Sequence, residues 1–457
     1  MSGIEFVQSH RHSGSRRLAA TALAIAIFVP LGLNGCAPSS TPSPSAPAEA
    51  TPTDLEPTAP PPTVGPTIAP DATGVPTATP APTPTPSPTP KPSPTPSPSP
   101  SPSPKPGAFH ATNPMKVARA YHTATLLKSG LVLITGGEGS AGTLSSAELY
   151  DPATGKFKLT GSMHVARMDQ TATLLKDGRV LVAGGSDGTA PLATAEIYNP
   201  STGSFSVTYP LLTARSRHTA TLLTNGTVLL AGGRNAANDP IAANETFSVT
   251  SGHSSSTGGL SKARFSHAAV TLANGNVLIV GGVGATGTLA PAELYSQSTG
   301  KFTTTGSLYQ SRADAAATLL KDGRVLVAAG FSYCSGYPGT PCIDTAQATA
   351  EIYTPSTGKF TKTGSLAHAR GAASVPLTGI LLGDGRVLIE GGALHNGTTL
   401  ASSELYDYVT GKFVAAGSLK YSRGGNTATK LGNGKVLIAG GFAGGGGIRG
   451  SAELYVP

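Results

Sequence analysis

Two cysteines eight residues apart, Cys334 and Cys342, lie in the loop FSYCSGYPGTPCIDTAQAT. In a secreted chain that spacing reads as a local disulfide stiffening a long loop. Metal binding or a redox pair is the alternative, with no flanking His to support it. Tyr333, Tyr337 and Asp344 share the loop. An aromatic pair on a stiff loop suits stacking against a sugar or peptide at low entropic cost, and suits packing beneath its own loop equally well. His395 with Asn396, and Arg234 with Asn235, occupy corresponding loops elsewhere and complete the set of candidate binding residues.

Charge recurs with a period. An Arg appears at Arg119, Arg167, Arg215, Arg264, Arg312, Arg370 and Arg423, and a Glu at Glu148, Glu196, Glu245, Glu293, Glu351, Glu404 and Glu453. A residue present in every copy of a repeat seldom marks one site, so these are expected to be structural pairs, within or between copies. Breaking a buried Arg–carboxylate fork from one side costs about 3–5 kcal/mol. Three residues after the Arg stand His122, His218 and His267, replaced in the other copies by Gln170, Ala315, Ala373 and Asn426. Three His suggest a metal, but equivalent positions on successive repeats diverge in space, and a hydrogen-bonding role is expected instead. No residue is assigned as catalytic. There is no convincing carboxylate pair in one loop, no nucleophile elbow and no H-E-x-x-H.

The elements that carry these residues are short strands. From Arg119 to Met163 the sequence predicts four: His122–Leu127, Leu131–Thr135 ending in Gly136-Gly137, Ala147–Tyr150, and one from Phe157. The double glycine recurs at Gly184, Gly232, Gly281, Gly391 and Gly440, with Ala329-Gly330 as a worn copy. Seven Arg and seven Glu therefore predict seven sheets. The fourth strand is present only six times after its Glu, and the missing one is expected at the other end. There, Gly107–Met115 aligns with Gly155–Met163. The N-terminal strand would then complete the last sheet and close a ring, leaving no open edge.

The apolar run into Gly-Gly, followed by Tyr and then an aromatic (Tyr150/Phe157, Tyr198/Phe205, Tyr295/Phe302, Tyr353/Phe360, Tyr406/Phe413), resembles the kelch repeat. Runs such as Lys176–Gly185 are most similar to the branch that contains the galactose-oxidase central domain. The resemblance covers 107–457 and implies an all-β fold: a seven-bladed propeller with four antiparallel strands per blade. Phe stands where kelch repeats usually carry Trp, and the third copy has Phe247 for the Tyr. The same resemblance raises a copper-radical oxidase acting on carbohydrates or aldehydes. That chemistry needs two His and two Tyr on the metal, one Tyr cross-linked to a Cys, and usually a further C-terminal domain. The expectation is that this domain is lacking, since the sequence ends on the seventh copy, and that no cofactor is bound.

Strand alternation puts the turns after strands one and three on one face, and the strand 2–3 and inter-blade loops on the other. The first class is nearly constant; the second varies, with Gly330 to Glu351 the longest. Loops on a rigid scaffold are where binding sits, so the variable face is the candidate face. The sixth copy has four additional residues between Arg370 and Gly385, expected to reshape the opposite face locally.

The remainder of the chain places this head. Arg16-Arg17 precede the uncharged stretch Leu18–Leu33 and then Asn34-Gly35-Cys36. This reads as a secretory signal, too short for a comfortable membrane span. Leu33–Cys36 resembles the bacterial lipobox, which implies a signal over 1–35 and lipid on Cys36, anchoring the chain to the outer face of a bacterial membrane; the alternative is an ordinary secretory signal. Residues 36–106 form a Pro/Ser/Thr-rich stalk in which proline excludes helix and sheet, with a reach of about 200 Å at ~3.1 Å per residue. Net charge is +8 across 457 residues, but no basic run with interleaved aromatics appears, so nucleic acid is not an expected partner. The expectation is a monomeric surface-anchored binding module for a polysaccharide or protein; the alternatives are an oxidase-like enzyme and a structural head without ligand.

Overall fold

The computed structural model describes residues 107–333, 345–372 and 374–457. The expectations for the signal, Cys36, the stalk, Cys334, Tyr337, Cys342, Asp344 and Ala373 lie outside these residues. The described chain is all-β and builds seven sheets of four antiparallel strands. In the first blade the strands are Thr123–Leu126, Val132–Thr135, Ala147–Asp151 and Lys156–Leu159, within about a residue of the sequence reading. First strands of neighbouring blades adjoin one another around the ring and line its channel.

The second strand of each blade explains why the chain must close. Val132–Thr135 is buried at every residue, as are Val180–Ala183 and Val228–Ala231. An alternating strand covers one apolar face; a continuous apolar run needs cover on both. Adjacent blades supply it. Leu133, Ala147 and Met163 of the first blade pack with Val180, Val182 and Tyr198 of the second. Val132, Ile134 and Tyr150 pack in turn against Leu437 and Ala439 of the seventh.

Closure follows the predicted route. Ala108–Thr112 pairs antiparallel with Ala452–Val456 in the seventh sheet, register Phe109 opposite Tyr455. Their rings lie 5.0 Å apart, repeating the Tyr150–Phe157 pair at 4.7 Å. The Tyr hydroxyl also ties blades together. Tyr198 bonds Thr160 of the preceding blade at 2.9 Å, and Tyr406 bonds Thr363 at 2.7 Å. In the third blade Phe247 stays buried in the same position without a hydroxyl to do this.

The four additional residues of the sixth blade are a correction. They fall before its first strand, Gly379–Leu381, and not in the hairpin that follows it. The N–H groups of Ser374 and Leu377 reach Asp314, so the insertion shapes the candidate face at the channel mouth and leaves the opposite face unchanged.

Candidate functional site

Each blade begins with a buried fork. Arg167 Nη2 donates to Glu196 Oε1 at 2.8 Å, and its Nη1 donates to the carbonyls of Gly184 and Thr194. The same intra-blade pairs join Arg119–Glu148, Arg215–Glu245, Arg264–Glu293, Arg312–Glu351, Arg370–Glu404 and Arg423–Glu453, at 2.6 to 3.1 Å. The carboxylates also accept backbone N–H groups from the incoming inter-blade segment, such as His164 and Val165 at Glu196. The fork therefore clamps the start of each inner strand to the double-glycine turn. Gly136 and Gly137 have φ of 62° and 94°, and a Cβ on either would run into the neighbouring backbone.

What the clamp positions is the residue two places after the Arg. Tyr121, Asp169, Arg217, Ser266 and Asp314 all hold the left-handed backbone conformation, with φ between 50° and 54°. Such a conformation costs a non-glycine residue about 1 kcal/mol or more, and persists only where surroundings impose it. Here the imposition is a chain of hydrogen bonds running from blade to blade. Asp169 N–H donates to Tyr121 C=O, Arg217 to Asp169, Ser266 to Arg217, and Asp314 to Ser266. The chain extends to Leu377 beyond Asp314, and back from Tyr121 to Gly425. The result is a ring at the channel mouth on the candidate face whose side chains vary around the blades, with Asp at two of them.

Chemically, the ring is a charged cluster. Arg217 Nε donates to Asp169 Oδ2 at 2.9 Å. Asp314 is 6% exposed, and its Oδ2 accepts the Ser374 N–H at 2.9 Å. Burial pushes its carboxyl up to about 6 against the pull of Arg217. Burial, reinforced by the carboxylates of Asp169 and Glu138, raises the Tyr121 phenol to about 12. Arg217 is held above its ordinary value: burial opposes its charge, but Asp169 and Asp314 outweigh that. Asp169, Arg217, Ser266, Asp314 and Ser374 enclose a cavity of about 140 Å³ with Gln170 in its wall.

Three imidazoles stand just below. His122 Nε2 bonds Thr427 at 3.0 Å, His218 bonds Thr171 at 3.0 Å, and His267 bonds Thr219 at 2.9 Å, each across a blade boundary. Gln170 and Asn426 make equivalent bonds to Thr135 C=O and Glu390. Burial beside arginine holds His122 and His267 down at about 3, so they are neutral at any physiological pH.

Of the loop residues singled out by sequence, Arg234 borders the cluster. It pairs across a bridge with Ser216, and Arg217, Asp169 and Asp314 all act on its charge. Asn235 instead caps its own loop, accepting from Ala237 and Asp239. Tyr333 is 40% exposed and is hydrogen-bonded through its backbone to Thr288 of the fourth blade. His395 and Asn396 are exposed on a turn of the sixth blade, where Asn396 Oδ1 accepts from Thr398. The loop candidates are spread around the rim; the ring residues are gathered at the centre. Sequence reasoning missed the ring, although one register held Tyr, Asp, Arg, Ser, Asp, Ala and Gly in seven otherwise repeating segments.

The Kelch motif model matches residues 171–208. No curated protein matches the sequence. Among solved structures, the chain is similar to one described as a novel fungal alcohol oxidase with catalytic diversity among the AA5 family, in complex with copper. Identity is 17%, coverage is 77% of each chain, and the TM-score is 0.63. It is also similar to YjhT, at 17% identity over 66% of this chain and 99% of that one, with a TM-score of 0.52. At these identities the likeness is one of fold: a seven-bladed propeller carrying a Kelch motif.

Proposed function

We propose that the propeller is a non-catalytic binding head that presents its candidate face to a polysaccharide or a protein. A lipid on Cys36 and the proline-rich stalk would hold it, as a monomer, at the outer face of a bacterial membrane. The observation that carries the reading is the distribution of departures from the repeat. Turns on the opposite face are near copies of one another, whereas Tyr121, Asp169, Arg217, Ser266, Asp314 and the sixth-blade insertion all break the pattern at one channel mouth. Strained backbone at a concave, polar, non-repeating mouth supports recognition there.

The alternative reading is an oxidase-like enzyme, which would hold copper on His and Tyr donors. The described mouth residues do not fit that metal. Tyr121 stands there among three carboxylates and a guanidinium, and the Nε2 atoms of the nearby imidazoles are bonded to threonines. A fixed Arg217 charge at the centre opposes a cation. Among the described residues no three His, Cys, Asp or Glu side chains gather as a metal site. A glycan array probed with the chain, alongside capture from envelope extracts, tests the proposal. Selective retention on a defined glycan or protein supports it, while silence on both favours a structural head. Peroxide release from sugars or aldehydes by copper-reconstituted protein would favour the oxidase.

A further inference from the structure

Two arginines at the mouth have hydrogen-bonding capacity that the protein does not use. Each fork arginine directs both terminal nitrogens to carbonyl or carboxylate partners, as Arg167 does. Arg217 and Arg234 bond only through Nε, to Asp169 at 2.9 Å and Ser216 at 3.2 Å. Their Nη groups have no partner among the described residues. The two charges are near enough that Arg217, after burial, is the largest influence holding Arg234 below its ordinary value. Asp169 and Asp314 offset part of this repulsion, and the unpartnered Nη donors remain available to a further anionic group.

The surroundings say what else that anion carries. Asp169 and Asp314 are acceptors, and Gln170 Oε1 is buried with no partner at all. These want hydroxyl or N–H donors. Tyr121, whose carbonyl accepts the Asp169 N–H, packs on Phe442 beside the cavity and outside its lining, their rings 5.7 Å apart. The enclosed volume of about 140 Å³ matches a single six-membered ring. An acidic peptide side chain brings the anion but no set of hydroxyl donors. We propose that the mouth binds one uronic-acid residue of an acidic polysaccharide, its carboxylate on the free Nη groups of Arg217 and Arg234 and its ring hydroxyls donating to Asp169, Asp314 and Gln170. This rests on the binding-head reading and names its ligand class.

The groups facing Asp314 are Arg217, Arg234, Asp169, Tyr121, Ser266 and the Ser374 N–H. Gaining a proton on Asp314 removes a negative charge from beside the bound carboxylate, so affinity rises as pH falls from 7 to 5 while the uronate stays ionised.

The test is calorimetric titration of the full chain, at physiological salt, with oligogalacturonate, a neutral oligogalactoside of the same length, and a polyglutamate peptide. Binding to oligogalacturonate alone is expected. It should weaken at least tenfold in both Arg217→Gln and Arg234→Gln, and tighten several-fold at pH 5. Arg234→Gln is the cleaner variant, since that side chain makes one side-chain hydrogen bond; its melting temperature should match the parent. Equal binding of neutral and acidic sugars overturns the proposal. So does an oligogalacturonate affinity indifferent to both substitutions, or tighter binding of polyglutamate. No oligogalacturonate binding, with retention of another glycan on the array, overturns this proposal and leaves the binding head standing. Silence toward every glycan and extract overturns both.

Discussion

Removing the Glu196 carboxylate tests whether the forks hold the ring. Arg167 and Glu196 are both fully buried, and Glu196 serves four donors: Arg167 Nη2, the backbone N–H groups of His164 and Val165, and His164 Nδ1. In Glu196→Ala the guanidinium keeps its bonds to Gly184 and Thr194 but loses its counter-charge, and two backbone donors lose their acceptor. A one-sided break of a buried pair costs about 3–5 kcal/mol. Unfolding entropy of ~2.1 cal/mol/K per residue over roughly 350 residues gives about 0.7 kcal/mol per degree, so Tm should fall by about 4–7 °C. Differential scanning calorimetry measures it. The double variant Arg167→Met, Glu196→Leu removes both charges and should recover much of the loss, because the desolvation cost goes with the pair. A Tm within a degree of the parent for Glu196→Ala, or a double variant less stable than the single, refutes the reasoning.

Other consequences follow from particular contacts. The Asp314 carboxyl is raised from 3.8 to about 6, so the stability it contributes is fully present below 3.8 and is lost as pH climbs through about 6. The loss is on the order of 3 kcal/mol, and Asp314→Asn should abolish that part of the pH 4–7.5 decline in Tm; an unaltered profile refutes the assignment. In Gly306→Ala, a Cβ would lie 2.3 Å from the Gly358 carbonyl oxygen of the next blade. That overpacking should cost about 1–3 kcal/mol in chemical denaturation, with no change at all as the contrary result. Deleting Ala108–Thr112 strips the partner from Ala452–Val456 and exposes Tyr455. The expected outcome is concentration-dependent association in analytical ultracentrifugation, against the monomer expected of the intact ring.

The ring was legible because its physics repeats. Continuous apolar runs such as Val180–Ala183 need cover on both faces, and the alignment of Gly107–Met115 with Gly155–Met163 shows which strand comes from where. The site was less legible for a physical reason. Counting from Arg370 to Gly385 gives the size of an insertion but not which end of the strand receives it, and the structure puts it beside Asp314. Tyr121, Asp169 and Arg217 sit between a fork arginine and a strand, in a register that the repeat pattern does not single out. Only the blade-to-blade hydrogen bonds reveal that this register converges on one opening.

The central claim is that recognition occurs at that opening. Hydroxyl-radical footprinting of the chain, with and without its bound ligand, addresses it directly. Protection is predicted at Tyr121 and Phe442, with Val409, 78% exposed on an opposite-face turn, unchanged. Protection of Val409 while Tyr121 stays reactive would contradict the account.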